Sequence, residues 1–190
     1  TRDTSTQAYL LGQGAWIFYG AVIVSFAILL SFFCYPSLLY HVPQKFVVLL
    51  TFGATIGVMC MYATIQYTVA SVLMVAGLTA STTVMLCLYA SCTKRDFTGM
   101  GAALNACLWL LIAFGFLQIW FHDRVLQLLV ATGGALVFSL YIVYDMQLIL
   151  GGGHRQQYSL DDDVLASIGL FLDVVNLFLY LLELIGDRRD

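Results

Sequence analysis

Asp145 and Asp173 stand inside the last two long apolar stretches of a chain whose apolar stretches carry almost no other charge. An Asp near the middle of a membrane helix costs about 2.5–3.5 kcal/mol on insertion scales, so its presence there marks a functional site by default. Two carboxyls within a few ångströms in a low dielectric cannot both ionise cheaply. They share a proton and titrate as a unit. Such a pair can respond to pH, or can exchange its proton for a hard divalent cation. Calcium takes several oxygen ligands, so two carboxylates with backbone carbonyls or water would make a weak calcium site at Asp145 and Asp173. Asn176 shares a helix face with Asp173, three residues on, and Tyr141 lies one turn before Asp145; their amide and phenol groups can satisfy a buried carboxyl. The bland alternative is that each Asp is protonated and bonded to a neighbouring helix.

The chemistry requires two helices that bring these residues to one depth. The chain has 190 residues, 61% hydrophobic and 10% charged. Soluble domains carry about a quarter charged residues, so the composition points to a membrane protein. Stretches of about 20 apolar residues can span a bilayer. Six qualify, at 15–35, 45–62, 68–91, 101–121, 125–150 and 164–185. They leave only short connections, which predicts a single all-α polytopic transmembrane domain over 1–190. A membrane barrel would instead show short alternating segments. Gly53 and Gly57, Gly133 and Gly134, and Ala76 and Ala80 offer small-residue packing surfaces.

Lys45, Lys94, Arg95 and Arg155 follow the first, third and fifth spans, whereas the loops on the other side hold only Arg124. The excess of positive charge places the first group in the cytosol. With that orientation Asp145 lies about 7 Å from the cytosolic interface and Asp173 about 14 Å, depths that permit contact. A cytosolic N-terminus would then need one further helix ahead of Thr1. Net charge is −3 and the basic residues are scattered, which argues against nucleic-acid binding. The five cysteines are odd in number and have no Cys-x-x-Cys spacing; they read as packing residues.

Weaker polar features have structural explanations. Asp161, Asp162 and Asp163 precede the last helix, where negative charge suits the N-terminal dipole. Glu183 is expected to reach the interface, His41, His122 and His154 to be interfacial or solvated, and Asn105 and Gln118 to bond between helices.

The sequences Tyr144-Asp145-Met146-Gln147-Leu148-Ile149 and Gly151-Gly152-Gly153-His154-Arg155 resemble the sixth helix and following loop of the transmembrane Bax inhibitor motif family. Leu172-Asp173-Val174-Val175-Asn176-Leu177-Phe178-Leu179-Tyr180-Leu181-Leu182 resembles its seventh helix, and Thr93-Lys94-Arg95-Asp96-Phe97-Thr98 the loop after its fourth. The order of all three is similar to that in the Lifeguard-like branch. The resemblance implies a seven-helix bundle with the last helix central and the first lying upstream of Thr1. It also implies a pH-sensitive calcium leak channel of an endomembrane, in the endoplasmic reticulum or Golgi, with the plasma membrane as an alternative. Calcium ions, the bilayer, and cell-death regulators or channel proteins are the implied partners, and suppression of cell death the implied role. No cofactor is implied beyond the calcium ion. The family's paired aspartates map onto Asp145 and Asp173 as the sensor. One departure concerns the basic latch that follows the family's second helix: Ser37-Leu38-Leu39-Tyr40-His41 stands there, so His41 or Lys45 substitutes, or the latch is absent.

Two other classes compete. A non-conducting adaptor would regulate other channels or apoptosis proteins through helix contacts. An intramembrane aspartyl protease would also place Tyr-Asp on one helix and Asp on the next, as Tyr144-Asp145 does. Its second motif is missing: Gly169-Leu170-Phe171-Leu172 precedes Asp173, and Pro36 and Pro43 are the only prolines. The chain is therefore expected not to be an enzyme.

Overall fold

A computed structural model describes residues 12, 14–34, 43–121, 123–151, 157–159 and 162–189, with Phe32 and Phe33 as backbone only. Tyr35, Pro36, the 37–41 stretch with His41, His122, Gly152, Gly153, His154, Arg155 and Asp161 lie outside the described residues. Six α-helices account for nearly all of the rest: α1 (Ala15–Cys34), α2 (Gln44–Thr64), α3 (Val69–Cys92), α4 (Gly101–Trp120), α5 (Arg124–Leu150) and α6 (Asp163–Ile185). Each falls within two residues of an expected span. A short 3-10 turn, Thr98–Met100, leads into α4.

The helices α2 to α6 are each long and apolar enough to cross a membrane. With 20 residues, α1 is about 30 Å long, the thickness of the hydrocarbon layer. Large apolar side chains such as Trp16, Leu50, Trp109 and Leu136 face outward. Exposure of that kind is stable in lipid and not in water. The chain is a multi-pass, all-α integral membrane protein whose outer surface meets the bilayer.

Local chemistry sets the helix ends. Asp123 caps α5, its carboxylate accepting from the Val125 N–H at 3.2 Å. Gly151, at φ +60°, ends α5, a conformation that favours glycine. Asp163 occupies the first turn of α6, where negative charge complements the dipole.

The helices group into two compact units. In one, Ser25 on α1 donates to Thr55 Oγ1 on α2 at 2.7 Å, and Phe18 packs on Tyr62 with ring centroids 5.3 Å apart. Arg188 returns to this unit, forming an antiparallel bridge with Tyr67. Gly53 and Gly57 have nothing within 4 Å of an added Cβ, so no close helix approach among the described residues uses them.

The other unit holds α3 to α6. Here α5 packs against all three neighbours, and α6 lies against α5 and α3. These last two helices are the most buried of the spans. Leu111, Val130, Phe138, Ile142 and Leu177 form the core between them and α4. As consecutive helices, α5 and α6 run antiparallel. Gln127 Nε2 donates to Glu183 Oε1 at 2.9 Å at one end. Gly134 then admits the Tyr180 ring, which stacks on Phe138 at 5.7 Å. That register carries Asp145 to Gly169 and Asp173 at the other end.

Candidate functional site

The α5–α6 register brings Asp145 and Asp173 together. Both are buried, 7% and 6% exposed, and their carboxyls are within hydrogen-bond reach of each other. Ionised carboxylates only accept, so this contact is a hydrogen bond only when one of them holds a proton. Without that proton Asp173 Oδ2, which is buried, has no donor among the described residues. A buried oxygen in that position is costly unless a proton or cation satisfies it.

Gly169, one turn before Asp173, supplies the space. A Cβ there would lie 2.6 Å from Asp145 Oδ2 and 3.8 Å from the Tyr158 hydroxyl. Asp145 therefore reaches across to α6 through a notch that only glycine leaves open. Tyr158 closes the same notch from the connecting loop, which folds back so that the Tyr158 N–H donates to the Leu148 carbonyl at 3.0 Å. Burial, followed by the nearby Asp145 carboxylate, pushes the Tyr158 phenol up to about 12. It remains a neutral hydroxyl at any physiological pH.

Tyr141 and Tyr144 line the α4 side. Tyr141 lies in the field of both carboxyls and Tyr144 in that of Asp145. The two rings pack edge to face with centroids 6.3 Å apart. Asn176 Nδ2 donates to the Leu172 carbonyl of its own helix at 2.8 Å, so the expected amide is engaged one turn back along α6. Gln147, two residues after Asp145, is fully buried and clamps the loop between α3 and α4. Its Nε2 donates to the Arg95 carbonyl and its Oε1 accepts from the Phe97 N–H, both at 2.8 Å. Asp96 completes that loop by accepting from the Thr98 N–H at 2.9 Å.

Sequence reasoning singled out Asp145, Asp173 and Tyr141, which do gather at one place. It missed Gly169, Tyr158 and Gln147. For Gly169 a signal existed: a small residue four before a buried acid on the same helix face. Gln118 was expected to bond between helices, yet its Nε2 is buried without a partner among the described residues. Lys45 belongs to the other unit, where its ammonium lies 5.4 Å from the Phe46 ring centroid.

Among the described residues no three His, Cys, Asp or Glu side chains meet as a metal site. The pair alone offers a divalent cation two carboxylates, short of the six to eight oxygens that calcium takes.

A multi-helix membrane bundle with two buried carboxyls in contact across one helix hairpin defines a polytopic protein with an intramembrane acidic site. Residues 4–190 match the family described as "Inhibitor of apoptosis-promoting Bax1", and the chain belongs to that family. It is 41% identical over 108 residues to the "Golgi anti-apoptotic protein" of vaccinia virus (strain Lister), covering 57% of this chain and 44% of the viral one. It is 43% identical over 91 residues to "Protein lifeguard 4" of Mus musculus, covering 48% and 36%. A protein of Borreliella burgdorferi is 33% identical over 149 residues, covering 74% and 62%. The chain thus spans less than half the length of the viral and mouse relatives. The three motifs that carried the resemblance converge in the structure: Gln147 ties the 93–98 loop to α5, and Asp145 ties α5 to α6.

Proposed function

We propose that the chain forms a passive, pH-sensitive calcium pathway across an endomembrane, with Asp145 and Asp173 as its sensor. The observation that supports this is the contact between two buried carboxyls on adjacent membrane helices. While one proton is held, the bond between them ties α5 to α6. Loss of that proton leaves two like charges in a low dielectric, which separate or take up a divalent cation. Either event moves the two most buried helices of their unit against each other. The proposed conduction needs no nucleophile or general base.

The names of the relatives extend the proposal to biology. The viral relative is called a Golgi anti-apoptotic protein, which supports a Golgi or other endomembrane location and a role in suppression of cell death. The same name favours a second reading, a non-conducting adaptor acting on cell-death regulators.

Calcium efflux from liposomes containing only this protein separates the two. The pathway predicts efflux that varies with pH, with that variation lost in Asp173→Asn. Inert wild-type protein would favour the adaptor. Efflux in Asp173→Asn with an unchanged pH profile would remove the pair from the mechanism. Flux driven by a pH gradient, rather than merely tuned by pH, would indicate an exchanger.

A further inference from the structure

Beside the aspartate pair, α5 and the start of α4 flank an open cavity of about 630 Å³. Thr98, Gly101, Asn105, Tyr141 and Tyr144 contribute its polar wall, and among the described residues no basic side chain lines it. Within a membrane helix bundle such a lining is unusual, because amide and hydroxyl groups facing hydrocarbon are costly. Water would satisfy the Asn105 amide and the tyrosine hydroxyls. The positive end of α4 opens near this space, but Asp96 offsets it, accepting from both the N–H and the hydroxyl of Thr98 at 2.9 and 2.6 Å.

The wall between cavity and carboxyls is aromatic. Tyr141 lines the cavity and lies in the field of both Asp145 and Asp173. Tyr144 lines it too, and lies in the field of Asp145. Gly101 makes room for Tyr144: an added Cβ would sit 2.6 Å from the phenol oxygen. The Tyr144 hydroxyl oxygen lies at the boundary beside Gly101, a neutral ligand type that a partly hydrated cation accepts.

From this juxtaposition we propose that the cavity is a hydrated vestibule, from which a small hydrated cation reaches the aspartate pair between Tyr141 and Tyr144. Asn105 Oδ1 is its outer ligand, and the tyrosine hydroxyl oxygens are its inner ones. The two phenols act as a selective wall, since a cation must exchange water for their oxygens to go further. This inference rests on the proposed calcium pathway for its transport arm. Its hydration arm stands without it.

The test uses the full chain with its native cysteines replaced, in liposomes, with a membrane-impermeant thiol reagent. Asn105→Cys and Ala102→Cys place thiols in the cavity. Ala106→Cys places one at the same depth as Asn105, exposed but not lining the cavity. A thiol in lipid stays protonated and inert, whereas one in water forms the reactive thiolate. Labelling of either cavity cysteine at least about tenfold faster than Ala106→Cys is expected, together with loss of most calcium efflux after labelling. Two cavity cysteines no more reactive than Ala106→Cys would overturn the vestibule, even if Asp173→Asn still alters flux. Fast labelling that leaves efflux unchanged would overturn its place on the path. If wild-type protein conducts nothing, the calcium pathway itself fails, while the labelling rates still decide whether the cavity holds water.

Discussion

Gly169→Ala opposes two effects whose magnitudes the structure separates. In an open helix position, replacing glycine by alanine gains about 1 kcal/mol of helix propensity. Gly169 is not open: the new Cβ would sit 2.6 Å from Asp145 Oδ2, well inside the 3.0 Å that real Cβ contacts essentially never breach. The carboxyl must retreat from the notch, and with it goes its contact with Asp173. A hydrogen bond to a charged group contributes about 1.5–3 kcal/mol, so the net effect is a loss of about 1 kcal/mol. In thermal unfolding of detergent-solubilised protein that corresponds to a drop of about 2–4 °C. Two companions fix the interpretation. Gly77 on α3 has nothing within 4 Å, so Gly77→Ala should raise stability by up to about 1 kcal/mol. Gly134→Ala would strike the Tyr180 ring at 2.6 Å and should destabilise by about 1–3 kcal/mol while leaving any pH dependence of unfolding intact. Only Gly169→Ala should weaken that pH dependence. A variant as stable as wild type, with the same pH dependence, would refute the notch and the pairing it permits.

Gln147→Ala should destabilise by about 1–3 kcal/mol, because it removes two hydrogen bonds, to the Phe97 N–H and the Arg95 carbonyl, each worth about 0.5–1.5 kcal/mol net. Hydrogen exchange should accelerate at 93–98 more than in α5 itself; uniform acceleration would show that the clamp is not local. Tyr158→Phe should change the alkaline limb of stability. The fold holds the neutral phenol, so that contribution is complete below the ordinary value near 10 and is lost as pH rises towards about 12. Unfolding followed between pH 9 and about 12 should therefore show wild type losing ground to Tyr158→Phe, and parallel curves would contradict the burial of that hydroxyl.

The spans were legible because hydrophobic length is a local property: the expected 45–62 is observed as Gln44–Thr64, and 164–185 as Asp163–Ile185. The meeting of Asp145 and Asp173 was legible from depth, since consecutive antiparallel helices make depth a usable coordinate. Facing directions were not. Asn176 looked like a partner for Asp173, but a helix offers its amide a carbonyl at i−4 that no cross-helix group needs to supply. Gly53 and Gly57 looked like a packing motif, yet spacing alone cannot say whether a neighbour comes to that face. Tyr158 and Gln147 were invisible because each acts through a chain reversal: one loop folds onto Leu148, the other onto α5.

The hairpin also matters while the chain is being made. Synthesis delivers α5 before α6 exists, so Asp145 enters the membrane without its partner and carries its insertion cost alone, below the helix-centre value of about 2.5–3.5 kcal/mol because it lies near the end of α5. The short return from Gly151 to Asp162 limits how long that exposure lasts. Once Gly169 and Asp173 arrive, one carboxyl shelters the other. The acidic residues that burden each helix singly thus become the reason the two are held side by side.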